Sequence, residues 1–224
     1  MSKSNTLEND WLKLLFNATA IANIADNAAS SPLANLYAAL HTANPGEAGS
    51  QTTSECAYGS YARVAVARTA GGFTVTANSV SPVAVVDFPE CTSGSEEATF
   101  FSIGTASSGA GIVLYYGVIG AAPTMVTGAT SDTITSPGHG LAVNDRCVFL
   151  QAFGLTVPAG ITAGTVYYVK TAPDADTFTI STTQGGATLD ITASGQAIVQ
   201  RVTPISISSG TIPRLKTTSA ITED

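Results

Sequence analysis

Near the start of the chain, apolar side chains recur at spacings of three and four: Leu7, Trp11, Leu14, Leu15, Ala18, Ile21 and Ile24. This is one stripe of an amphipathic helix, and it predicts a helix over residues 6–25. Asn5 with Glu8 three residues later is a helix-start signal. Glu8 and Asp10 fall in the first turn, where negative charge suits the helix dipole. Asp26-Asn27 and then Ser30-Ser31-Pro32 predict its end. The stripe holds the only tryptophan, and Trp11, Leu14, Leu15 and Ile21 are its candidate anchors. Two uses are open: the helix covers a sheet of its own domain, or it docks as an arm on a neighbouring subunit.

After Pro32 the period changes from helical to strand-like. Residues 36–42 predict a first strand, closed by the turn Asn44-Pro45-Gly46-Glu47. Residues 61–68 alternate, with Ala62, Val64 and Val66 on one face and Arg63, Ala65 and Ala67 on the other. Gly71-Gly72 predicts a turn, and 73–76 a strand. Residues 83–88 form a nearly continuous apolar run, as in a strand buried on both faces. Strands at 100–104 and 112–118 follow, with a Ser-Ser-Gly-Ala-Gly turn between them. Turn signals about every 8–15 residues predict an antiparallel sandwich or barrel.

Around 120–124 the texture shifts. Residues 123–203 predict a second β unit, with strands at 133–135, 146–150, 165–170, 177–181, 189–192 and 197–202 and turns rich in Gly, Pro and Asp. Some eighty residues with their own core pattern are enough to fold alone. Residues 204–224 alternate again but are too few for a domain, so they predict a return to the first one. The expected organisation is a split main β-domain, 1–122 plus 204–224, interrupted at a hairpin tip by an inserted β-domain, 123–203; such tips tolerate insertions. The expected fold class is thus mainly β: an antiparallel sandwich or barrel with an N-terminal helix, plus a second small inserted β-domain.

Composition narrows the function classes. Hydrophobic residues make up 44% of the 224 and charged residues 11%, less than half the roughly 25% of an average globular protein. Ser and Thr supply 53 of the 224 residues, so the polar surface is mostly hydroxyl, which costs less to dehydrate than charge. That suits a surface packed against neighbours. Nine Lys and Arg against sixteen Asp and Glu give a net charge of −7, and the basic residues do not cluster. The electrostatic footprint of a nucleic-acid binder is missing. No apolar run approaches the roughly 20 residues that span a bilayer, and the polar N-terminus is no signal peptide. A soluble product with no nucleic-acid and no membrane partner is expected.

Candidate chemistry is sparse. Cys56, Cys91 and Cys147 are odd in number and widely spaced, neither a disulfide framework nor a zinc site. His41 ends a predicted strand, and His139 lies between two glycines in a turn; neither has further metal ligands close in sequence. No Gly-x-Ser-x-Gly elbow and no phosphate loop occurs. Glu96-Glu97 reads as a solvated loop, and Pro173-Asp174-Ala175-Asp176 as a plain turn rather than a calcium loop. The sequence predicts no catalytic residue, no metal site and no cofactor.

Four stretches carry a resemblance. Residues 36–49 (LYAALHTANPGEAG), 59–66 (GSYARVAV) and 85–89 (VVDFP), with the tail 213–224 (PRLKTTSAITED), resemble a group of small tailed-bacteriophage virion proteins. The segment 132–178, with Asp132-Thr133-Ile134-Thr135, His139-Gly140-Leu141, Asn144-Asp145-Arg146, residues 160–169 and Asp176-Thr177-Phe178, is similar to a second phage module, a small β-domain found in tail and surface proteins. The resemblance implies a non-enzymatic virion component, made in the host cytoplasm and present in repeated symmetric copies or as a homo-oligomer. Its expected partners are the major capsid protein or tail proteins of the same particle. The leading expectation is a capsid decoration (cement) protein. The alternatives are a tail component (tail-tube, adaptor or fibre-associated subunit) and a host-surface binding module carried by the insertion.

Overall fold

Short alternating segments separated by Gly, Pro, Asn and Ser cannot form long helices, and the computed structural model is mainly β. It describes residues 5–20, 33–121, 124–151 and 154–222. The chain opens with α1 (Asn5–Asn17), then β1 (Asn35–His41), β2 (Val64–Ala67), β3 (Phe73–Thr76), β4 (Ser79–Pro82), β5 (Val86–Asp87), β6 (Ser95–Ala98), β7 (Phe100–Gly104) and β8 (Val113–Val118). Next come β9 (Thr124–Gly128), β10 (Ile134–Thr135), β11 (Arg146–Leu150), β12 (Val166–Thr171), β13 (Thr177–Ser181) and β14 (Gly195–Val202). The tail adds β15 (Ile205–Ser208), β16 (Arg214–Leu215) and β17 (Ile221–Thr222). Two units result: Met1–Gly117 with Ile205–Asp224, and Val118–Pro204.

In the first unit a four-stranded antiparallel sheet runs in the order β2-β1-β7-β8. Its centre is β1, whose Ala38 faces Val64 on one side and Ile103 on the other. Leu36, Ala38, Ala39 and Leu40 are buried, the pattern of a central strand covered on both faces. The tail then runs back past the earlier strands in reverse order. β15 pairs with β6, β16 with β5 and β17 with β4, all antiparallel. These pairings join residues more than a hundred apart, which is why β6 and β17 carry no local signal.

Several expectations need correcting. The helix ends at Asn17 rather than near 25, because Ala18 takes a left-handed backbone (φ 54°) and residues 18–20 are not helical; the rest of the expected helix, 21–25, and the stop signals at 26–32 lie outside the described residues. The run 83–88 is not buried on both faces: Val83 and Val85 are exposed and only Val86 and Phe88 are buried. The two-residue strand there has one face in the core and the other outward. Glu96 and Glu97 belong to β6, not to a solvated loop. In the segment 61–68 the alternation fails at Arg63, which turns inward while Ala62 is exposed. Residues 189–192 form no strand, although Leu189 N–H still donates to Ile180 O (2.8 Å).

The second unit is a closed six-stranded antiparallel barrel in the order β10-β13-β12-β11-β14-β9. Alternation fills it: Tyr167 and Val169 from β12, Phe178 and Ile180 from β13, and Phe149 from β11 point inward and are buried together. A barrel of this size closes on its own side chains. Its motif residues make its turns. Asp132 Oδ1 accepts from Ile191 N–H (2.8 Å), Asp145 Oδ2 from Ala142 N–H (2.8 Å), Asp176 Oδ1 from Gly138 N–H (2.9 Å), and the Tyr167 hydroxyl from Thr162 N–H (2.8 Å). Gly160 is required for a steric reason: its φ is 105°, and a Cβ there would lie 2.2 Å from Asp190 O.

Candidate functional site

Leu12 and Phe16 widen the apolar side of α1 beyond the stripe of Leu7, Trp11, Leu14 and Leu15, so spacing alone does not select its buried face. Leu12 and Phe16, four apart and on one face, are fully buried. Phe16 meets Phe73 edge-to-face at 4.8 Å and Tyr115 at 5.7 Å. The helix therefore lies on its own unit, against β3 and β4, through residues outside the predicted stripe. Arg68 fixes its end by donating from Nε to Leu15 O and from Nη2 to Leu14 O, a cation on the carbonyl end of the helix. Behind Phe16 is a cavity of about 30 Å3, lined also by Phe73, Val80, Leu215 and Ile221. Of the four candidate anchors, Trp11 is 41% exposed, Leu14 and Leu15 are half-buried, and Ile21 lies outside the described residues. Trp11 and Leu14, three apart, share the side turned away from Leu12 and Phe16.

The histidine that ends β1 is tied into the fold. His41 is fully buried at the end of β1. Its Nδ1 is 2.9 Å from Thr53 O, which only accepts, so Nδ1 carries the proton; Nε2 then accepts from the Ser102 hydroxyl at 2.8 Å. A serine on a histidine is the geometry of an activated nucleophile. Here Ser102 is itself fully buried, and a backbone carbonyl stands where a carboxylate would hold the imidazole. Burial holds the His41 pKa below its ordinary value of 6.5, against the pull of the Thr53 carbonyl and Glu55. The pair cross-links β1 to β7.

Beside it lies a second polar network that the sequence pattern misses. Arg63 donates from Nε to Glu55 Oε1 (2.6 Å) and from Nη2 to Glu55 Oε2 (2.8 Å). It also reaches the carbonyls of Ala106 (2.9 Å) and Gly109 (2.8 Å). The Tyr61 hydroxyl donates to Glu55 Oε1 (3.0 Å) and accepts from Leu40 N–H (3.0 Å). Gln51, fully buried, accepts from Ala106 N–H at 2.9 Å. Together these groups fasten the segments 50–63 and 105–111 to β1. Only the charge balance of Arg63 with a glutamate eight residues away could have signalled it.

Cys56, Cys91 and Cys147 are all buried and free. Burial pushes the Cys56 thiol up to about 12, helped by the Glu96 carboxylate, and pushes Cys147 likewise to about 12. Such thiols lack thiolate character. Glu96 caps a turn: its carboxylate accepts from Ala57 N–H (2.9 Å) and Tyr58 N–H (3.2 Å). In the barrel, His139 Nδ1 accepts from Leu141 N–H (2.9 Å) and Nε2 lies 3.3 Å from Thr177 O, the ring packed on Phe178. Asp174 is exposed, and accepting from Asp176 N–H and from Thr177 lowers its pKa. Among the described residues no three His, Cys, Asp or Glu are placed to hold a metal ion, and no helix is long and apolar enough to cross a membrane.

Comparison with known proteins gives one result of weight. The chain matches the family described as Podophage GP4 fiber I protein gp80 over residues 2–143, 142 of its 224 residues. It belongs to that family. The match covers the first unit as far as Gly117 and runs on through β9 and β10 of the barrel. It bears out the resemblance to tailed-phage virion proteins. No curated protein matches the chain.

Proposed function

We propose that this chain, as a member of a podophage fibre family, is a non-enzymatic structural component on the tail side of the particle. The family match over residues 2–143 is the observation that carries this reading. The fold is consistent with it: among the described residues, His41, Ser102, Glu55 and Arg63 serve cross-links within the first unit, and Asp132, His139, Asp145 and Asp176 serve turns within the barrel. The expected head-decoration role has no finding behind it, and membership of a fibre protein family weighs for the tail. We read Val118–Pro204 as an inserted module, and the side of α1 bearing Trp11 and Leu14, with Leu15 beside them, as the contact with a neighbouring virion protein. Function then lies in binding other copies and other proteins repeatedly, where weak contacts multiply by symmetry. The test is stoichiometry: quantitative mass spectrometry of separated heads and tails. A small number of copies, all with the tails, is expected; hundreds of copies with the heads would restore the decoration reading.

A second reading concerns the barrel alone. It has its own closed core, so it can carry a separate task such as host-surface binding. Replacing residues 118–204 with a short linker is then expected to leave particles assembled but unable to adsorb; unchanged adsorption removes this reading.

A further inference from the structure

In the first unit the segments around β5 and β16 form an antiparallel ribbon longer than the two strands themselves. Leu215 faces Val86 and Arg214 faces Asp87. Phe88 N–H donates to Pro213 O (2.9 Å), and Cys91 N–H to Thr211 O (2.9 Å). One face of the ribbon is core: Val86, Phe88, Pro213 and Leu215 are buried. The opposite face is open and sets apolar side chains beside charged ones. Val85 is 45% exposed and Ile212 43%, and between them lies the Arg214–Asp87 ion pair (3.0 Å), its side chains 55% and 54% exposed.

We propose that this outward face is a self-association surface, which pairs with the same face of a second copy about a two-fold axis. The centre of the face carries one cation and one anion side by side on adjacent strands. A two-fold axis running between the strands places Asp87 against the second copy's Arg214, and Arg214 against the second copy's Asp87, so one swap satisfies both. The same operation lays Ile212 over the second copy's Pro89, and Val85 along the aliphatic stem of its Lys216. The chain as a whole is at −7, which opposes contact between copies at random. This ribbon, with Asp87 and Glu90 against Arg214 and Lys216, is locally neutral, and contact there avoids the repulsion. A strongly basic partner finds no acidic patch to select it. The face spans only a few residues on two strands, less than the roughly 800 Å2 per partner of a stable interface, so the association is weak and gains strength only in an assembled array.

The choice of a second copy as occupant rests on the reading of the chain as a repeated particle component. The experiment uses the purified full chain without particles, so it fails or holds separately from the tail assignment. Sedimentation velocity over a concentration series is expected to show wild type associating reversibly. Asp87→Arg alone and Arg214→Asp alone, each confirmed folded by circular dichroism, are expected to weaken association about tenfold or more. Mixing these two variants one to one is expected to restore it, because each then supplies the charge the other lacks. Ile212→Glu, on the same face but outside the ion pair, is expected to weaken it too. Wild type that stays monomeric up to the order of 1 mM would overturn the proposal and leave the ribbon to a different virion protein. So would single variants that associate like wild type, or a mixture that stays monomeric.

Discussion

Arg63 and Glu55 form a two-point ion pair in the interior of the first unit, at 2.6 and 2.8 Å, with their side chains only 2% and 15% exposed. Removing one partner strands the other charge in a site built for both. Glu55→Ala is expected to cost about 3–5 kcal/mol of unfolding free energy, read from urea titration. The exposed Arg214–Asp87 pair is the contrast: Asp87→Ala is expected to cost no more than about 1 kcal/mol. Equal costs would show that the Arg63 network does not hold the loops as described.

His41 predicts an acid-sensitive fold. Its pKa in the folded protein is lowered, so the unfolded chain takes up a proton first as pH falls. The stabilisation from neutral His41 is complete above its unfolded value of 6.5 and is lost as pH falls below it towards the folded pKa. Denaturant midpoints are expected to drop between pH 7.5 and 5, and His41→Gln, which cannot titrate, to flatten that part of the profile. A profile identical in both proteins would contradict the assignment.

Buried thiols predict inertness. With Cys56 and Cys147 pushed to about 12 and all three cysteines buried, an aromatic disulfide reagent at pH 8 is expected to modify none of them in the folded chain and all three in denaturant. Rapid reaction of one thiol in the native protein would reveal an opening that the fold does not show.

The helix separates two roles at neighbouring positions. Phe16→Ala removes a fully buried ring beside an existing 30 Å3 gap and is expected to cost about 3–5 kcal/mol. Trp11→Ser, on the exposed side, is expected to change stability by no more than about 0.5 kcal/mol yet to reduce incorporation of the chain into particles. Normal incorporation of the Trp11 variant removes α1 as a docking element.

Much of this fold was legible where the controlling interaction was local. β3 and the barrel strands β12 and β13 follow from alternation because their faces differ in polarity, and β1, β7 and β11 follow from short apolar runs bounded by turn residues. The helix was legible as an element but not as a face: Trp11, Leu12, Leu14, Leu15 and Phe16 are all apolar, and only the position of Phe73 decides that Leu12 and Phe16 go inside. The run from Val83 to Phe88 misled because apolar content alone does not distinguish a strand covered twice from one whose outer face stays open. Glu96 and Arg63 depart from the sequence pattern because a charged side chain with a tertiary partner need not face water. Each is held by a partner whose approach depends on the tertiary fold: the backbone of Ala57 and Tyr58 for the first, Glu55 for the second. The motif residues of the resemblance were visible throughout, but that Asp132, His139 and Asp145 serve turns, and His41 and Arg63 serve cross-links, required the structure.

The central claim is that this chain is a structural component of the tail side of a phage particle. Gold-labelled antibody against the purified chain, imaged on intact particles by electron microscopy, tests it most directly. The account predicts label confined to the tail; label spread over the head, with none on the tail, would contradict it.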